Sequence, residues 1–227
     1  MKRLIPILMA AAMLLPARAQ DWPGVNRYAQ ANAQLTQPVK VVLIGDSITD
    51  GWPAARPDFF STTGYIGRGI SGQVSTQMLA RFMQDVVSLH PKVVVINAGT
   101  NDIAENQGTY NPELTFRSIE AMARLAQSNG IRPILTSVLP AAGFRWRPAI
   151  TDSIEKIAAL NERIRQLAAD HKWIYIDYHT VLAKDGGIPE EYSFDGVHPT
   201  PAGYSIMEPL VIAAVKKAQK AWFYGKK

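Results

Sequence analysis

The chain has 227 residues, 47% of them hydrophobic, with a formal charge of +5 and no cysteine. That length and apolar content suit one globular domain with a substantial core. The lack of cysteine excludes disulfides, thiolate metal sites and a lipid-modified cysteine within these residues.

Lys2 and Arg3 precede an apolar run from Leu4 to Pro16, and Ala17-Arg18-Ala19 fits a small-x-small cleavage pattern. Residues 1–19 therefore read as a secretory signal cut after Ala19, which implies a secreted or periplasmic protein. Removing them takes away Lys2, Arg3 and Arg18 and no acid, so the formal charge falls to +2. A weakly charged remainder argues against nucleic acid as a partner. No other apolar run approaches the length that spans a bilayer.

From Gln20 to Lys227 the sequence shows no repeat and no linker, and it reads as one domain. Short apolar runs alternate with amphipathic stretches, which predicts an α/β fold with a parallel sheet. The expected strands are Lys40–Ile44, Tyr65–Gly69, Lys92–Asn97, Arg132–Ser137 and Trp173–Asp177. Val93 to Ile96 is continuously apolar, as in a strand covered on both faces. Helices are expected at Gln20–Ala33, Gln73–Leu89, Glu113–Gln127, Ser153–Ala169 and Pro201–Lys220. Their apolar stripes read as core. The lysines from Lys216 onward read as a solvated helix end.

Polar segments follow the strands: Asp46–Trp52, Ile70–Gly72, Ala98–Asp102, Pro140–Pro148 and, later, Asp195–His198. Strand C-termini are where parallel sheets place ligands. Ser47 stands at the first of these tips, where it reads either as a helix cap or as a nucleophile that needs a base. Of the four histidines, His90 and His171 fall at expected helix ends and His179 in a loop past the fifth strand. Only His198 follows a carboxylate, Asp195, by three positions. Asp195 at that distance can take the Nδ1 proton and leave Nε2 for the serine.

Other chemistries fit less well. Gly67-Arg68-Gly69-Ile70-Ser71-Gly72 matches a dinucleotide-binding glycine pattern, but the next strand ends in Ile96-Asn97-Ala98 without the expected acid. Asp46, Asp50, Asp102, Asp195 and His198 offer hard ligands for a metal phosphoesterase, without a familiar metal spacing. An inactive carbohydrate-binding module would have no use for the Ser, Gly, Asn, Asp and His set.

Gly45-Asp46-Ser47-Ile48-Thr49-Asp50-Gly51, Gly69-Ile70-Ser71-Gly72, Gly99-Thr100-Asn101-Asp102 and Asp195-Gly196-Val197-His198-Pro199-Thr200, in this order, resemble the four blocks of the SGNH hydrolases, the GDSL-type esterases and lipases. With Gly203-Tyr204 downstream, they look like the branch of platelet-activating-factor acetylhydrolase and bacterial carbohydrate acetylesterases. The resemblance implies a three-layer α/β/α sandwich with a five-stranded parallel, flavodoxin-like sheet. It also implies a triad of Ser47, His198 and Asp195, an oxyanion hole of the Ser47 and Gly72 N–H groups and the Asn101 amide, and no metal or organic cofactor. Some members carry Asn where this chain has Ser71.

The activity implied is hydrolysis of short acyl esters, above all acetyl groups on carbohydrates, with a lysophospholipase or lipase as the alternative. Trp52, Phe144, Arg145, Trp146 and Arg147 are the expected substrate-binding residues. They lie just after the serine block and on the loop after the fourth strand, and aromatic rings suit sugar faces.

Overall fold

The computed structural model describes residues 21–224. The proposed leader, residues 1–19, lies outside them. Five parallel strands form one sheet: β1 Val41–Gly45, β2 Ile66–Gly69, β3 Val93–Ile96, β4 Arg132–Thr136 and β5 Ile174–Ile176, in the order β2-β1-β3-β4-β5. All five sit within a residue or two of their expected places. β1 pairs in register with both neighbours, Val42 beside Ile66 on one side and Val94 on the other.

Apolar residues of the strands divide by parity between two cores. Val42, Ile44, Val94, Ile96 and Leu135 face one layer of helices, α4 Ser75–Asp85, α6 Pro112–Ser128 and α7 Ser153–Asp170. Val41, Leu43, Val93, Val95 and Ile134 face the other, formed largely by α2 Ser47–Ala55, α3 Pro57–Thr63, α8 Tyr178–Leu182 and α9 Pro201–Tyr224. A strand buried on both faces has no polar side to alternate, which accounts for the unbroken valine runs. The result is the three-layer α/β/α sandwich.

Several helices differ from expectation. The N-terminal helix contracts to α1, Ala29–Ala33, after turns that begin at Asp21. The expected Gln73–Leu89 helix divides into α4 and a 3-10 turn, Val87–Leu89. His179 lies within α8 rather than in a loop. α2 and α3 were not among the expected helices, beyond the reading of Ser47 as a helix cap; Pro57 opens α3, where its missing N–H costs nothing.

The strand order reverses direction between β1 and β3. The crevice beyond their C-terminal ends is thus the place where loops diverge and ligands bind in such sheets. The segments that start at Asp46, after β1, and at Asn97, after β3, open there.

Candidate active site

Asp46 caps α2: its Oδ1 accepts the Ile48 N–H at 3.0 Å. Ser47 is therefore the first helical residue, and its own N–H has no intrahelical acceptor. Its Oγ lies 2.8 Å from His198 Nε2, across 151 residues of chain. His198 Nδ1 lies 2.7 Å from Asp195 Oδ2. The carboxylate is itself fixed, since Asp195 Oδ1 accepts the N–H groups of Val197 at 3.0 Å and His198 at 2.8 Å. Burial works to raise the Asp195 carboxyl, but the His198 backbone and ring and the Val197 N–H outweigh it and hold it below its ordinary range. Ser193 closes this loop from beneath: its Oγ donates to the His198 carbonyl and accepts the Gly196 N–H, both at 2.9 Å.

The second block is pressed against the first. A Cβ on Gly69 would lie 2.1 Å from the Asp50 nitrogen and 2.7 Å from the Asp46 carbonyl oxygen, so only glycine lets β2 approach α2 this closely. Ser71, which stands where some relatives have Asn, donates its hydroxyl to Asp50 Oδ2 at 2.7 Å. This bond ties the turn to α2. Gly72 follows at φ +78°, a left-handed conformation suited to glycine, with open space where a Cβ would be.

Asn101, 3% exposed, lies in the short helix α5, Thr100–Ile103. Its Nδ2 donates to the Gln73 carbonyl at 3.0 Å, which places the amide beside the Gly72 turn. An amide nitrogen carries two hydrogens. The second remains for an incoming oxygen. Ser47, Gly72 and Asn101 are thus drawn together by the Asp50–Ser71 and Gln73–Asn101 contacts.

Buried polar groups hold this edge from behind. Arg81, fully buried on α4, donates to the carbonyls of Gly45 and Arg68, each at 2.9 Å, to Gln73 Oε1 at 2.7 Å and to Asp85 Oδ2 at 3.0 Å. It joins the tips of β1 and β2 to the second block. Asp102 accepts the Ser75 N–H at 2.9 Å, the Ser75 hydroxyl at 2.5 Å and the Thr115 hydroxyl at 3.0 Å, so it anchors α4 and α6. Burial raises its carboxyl above the usual range. Burial likewise pushes Asp46 up to about 6, against the opposing pull of the Ile48 N–H and the nearby His198. Asp102 thus serves as a buried hydrogen-bond acceptor, a reading its sequence position allowed, whereas the two carbonyls that Arg81 meets lie 13 and 36 residues back in the chain and left no local signal. Among the described residues, no three His, Asp or Glu side chains gather as a metal-ligand set.

The expected substrate-binding residues separate. Trp52 is 3% exposed and stacks between Phe59 and Tyr204, at 5.6 and 5.1 Å. It belongs to the core beneath α2, because its position on the helix turns it inward. Phe144 is also buried, at 2%, and supports Trp146 from behind at 5.4 Å. Trp146 is 40% exposed, with its ring 6.0 Å from the His198 ring. Arg145 and Arg147 are exposed on the same loop. Arg145 lines a depression of about 540 Å³ beside Asp195, together with Pro148 and Ile188. Phe194, 67% exposed on the histidine loop, and Asn106 were not anticipated.

A serine hydroxyl, an imidazole and a carboxylate in series, beside amide donors, form the arrangement used for acyl transfer. Comparison with known proteins decides the family. Residues 43–206 match the GDSL-like Lipase/Acylhydrolase family model. The chain belongs to this family. That membership makes it an acylhydrolase by class. It is 51% identical to a GDSL-like lipase of known structure from Bacteroides thetaiotaomicron, over 87% of this chain and 99% of that one, with a TM-score of 0.84. It is 25% identical to an acetylxylan esterase of Xylanibacter ruminicola over 78% of its own length, and spans only 43% of that longer protein. An arylesterase of Vibrio mimicus is 24% identical, over 71% of this chain and 80% of the relative.

Proposed function

We propose that this acylhydrolase is a serine esterase that removes short acyl groups, above all acetyl, from a carbohydrate alcohol. The observation that carries the catalytic part is the unbroken Ser47–His198–Asp195 hydrogen-bond series at the β1 tip. Ser47 attacks the ester carbonyl while His198 Nε2 takes its proton and Asp195 holds the imidazole. The oxyanion is met by the N–H groups of Ser47 and Gly72 and by the free hydrogen of the Asn101 amide. His198 returns its proton to the departing alcohol. Water, deprotonated by the same nitrogen, then releases the acid.

Three features favour a small acyl group and a sugar. The depression on the Gly72 side, about 440 Å³, is lined mostly by polar and small residues, including Ser71, Gln73, Asn106 and Gln107. A long acyl chain would call for a deep apolar groove instead. Trp146 offers an exposed ring at the mouth, and one named relative is an acetylxylan esterase. Secretion after cleavage of residues 1–19 accords with a polymeric substrate outside the cell, and the N-terminal sequence of the exported protein should then begin at Gln20.

A panel of 4-nitrophenyl esters from acetate to palmitate, beside acetylated xylan and a lysophospholipid, tests the reading. The expected order is acetate far above palmitate, with acetate released from the saccharide and EDTA without effect. Exposed Phe194 and Trp22 give a lipid surface something to hold. A higher kcat/KM for palmitate or lysophospholipid would replace the carbohydrate esterase with a lipolytic enzyme.

A further inference from the structure

Three side chains in series lead from the mouth of the site to its oxyanion donor. Trp146 Nε1 donates to Asn106 Oδ1 at 2.9 Å. Asn106 Nδ2 donates to Asn101 Oδ1 at 2.7 Å. Asn101 Nδ2 donates to the Gln73 carbonyl at 3.0 Å. An amide can be turned end for end with little change in shape, so its orientation has to be set by its partners. Here both ends of the series are unambiguous. An indole N–H can only donate, and a backbone carbonyl can only accept. Those two facts force the oxygen of Asn106 toward Trp146, its nitrogen toward Asn101, and the nitrogen of Asn101 toward Gln73 and the substrate.

The backbone prepares this contact. After α5 the chain turns back through Glu105, a non-glycine residue at φ +56°. Asn106 N–H then donates to the Asn101 carbonyl at 3.0 Å, so residues 101 and 106 are joined through both backbone and side chain. Left-handed conformations at residues with a Cβ are retained where the surroundings demand them.

We propose that Asn106 is a positioning residue: with Trp146 it fixes which end of the Asn101 amide meets the substrate oxygen. Trp146 thereby joins the two halves of the site, with its ring beside His198 and its N–H setting the oxyanion donor. The assignment rests on the esterase reading above. Turned the other way, Asn101 would present a carbonyl oxygen to the forming oxyanion, replacing attraction by repulsion.

The test uses 4-nitrophenyl acetate and a double-mutant cycle. Asn106→Asp keeps the shape but offers only acceptors. One carboxylate oxygen keeps the indole, and the other faces Asn101 Oδ1 and turns that amide round. We expect kcat to fall by about 10²-fold with KM changed less than about two-fold, close to the loss from deleting an oxyanion donor. Asn106→Leu removes the pin but leaves the Gln73 carbonyl in place, so the loss should be about ten-fold, and Trp146→Phe should cost no more than Asn106→Leu. A merely structural role predicts the reverse order, with the isosteric Asp tolerated best. In the Asn101→Ala background, Asn106→Asp should cost almost nothing further, because its effect passes through the missing amide. Losses that multiply instead, or a charge effect that persists without Asn101, overturn the assignment. A wild-type protein that turns over no ester overturns the esterase reading and this assignment together. An active wild type with an unaffected Asn106→Asp overturns the assignment alone.

Discussion

The two halves of the site are held by opposite means. The strand-tip half, Gly45–Ser47 with Gly69–Gly72 and Gly99–Asn101, is braced from inside by Arg81 and Asp102, both buried and both bonded to residues remote in sequence. The histidine half is a short loop that holds itself: Ser193, Asp195 and backbone N–H groups within five residues make the bonds that shape it. Their outer surfaces differ accordingly, with Asn101 enclosed and Phe194 open to solvent. Precision around Ser47 is therefore tied to global stability, whereas precision around His198 is a local matter. The two can be broken separately.

The largest effect is expected at the brace. Arg81→Ala removes the cationic partner of the buried Asp85 carboxylate and one hydrogen bond from each of the Gly45 and Arg68 carbonyls. Removing one partner of a buried pair typically costs about 3–5 kcal/mol. Urea unfolding should show a loss of that size for the whole molecule. A stable, fully active Arg81→Ala protein would mean that the strand tips need no internal brace.

Asp46 sharpens the junction between the halves. Its Oδ1 caps α2 while its Oδ2 is buried and has no hydrogen-bond partner. The folded protein holds this proton more tightly than the unfolded chain, whose ordinary value is 3.8, since the folded value is about 6. Its contribution to stability is therefore complete below pH 3.8 and is lost as pH rises through about 6. Between pH 4 and 7.5 the change amounts to about 2–3 kcal/mol. Asn caps helices as well as Asp, so Asp46→Asn should keep the fold and flatten this part of the pH–stability curve. Parallel curves for the two proteins would refute the account of Asp46.

The smallest effect belongs to the loop. Ser193→Ala removes three hydrogen bonds, all to residues 195–198, a cost of about 1–2 kcal/mol. We expect kcat on 4-nitrophenyl acetate to fall about ten-fold while the thermal midpoint drops by only about 2–8 °C, far less than for Arg81→Ala. A large drop in the midpoint with unchanged kcat would contradict the division between global and local support.

This division also explains what the sequence disclosed. Asp195 and His198 are three positions apart and shape their own loop, so their pairing was legible. β1, β3 and β4 were legible because their apolar runs are covered on both faces. Asp50, Arg81 and Asn106 act through contacts that no local pattern records; Arg81 reaches back 36 residues to Gly45. Trp52 and Phe144 were misplaced for a related reason. An aromatic residue near a motif looks the same in sequence whether it faces solvent or the core, and it is α2, which was not among the expected helices, that turns Trp52 inward.

The central claim is that Ser47 is the nucleophile, activated by His198. Incubation with a fluorophosphonate followed by peptide mass spectrometry tests it most directly. The account predicts one covalent adduct per chain, on Ser47, with esterase activity lost in proportion and no adduct formed by a folded Ser47→Ala protein. An adduct on another residue, or full ester hydrolysis by the Ser47→Ala protein, would contradict it.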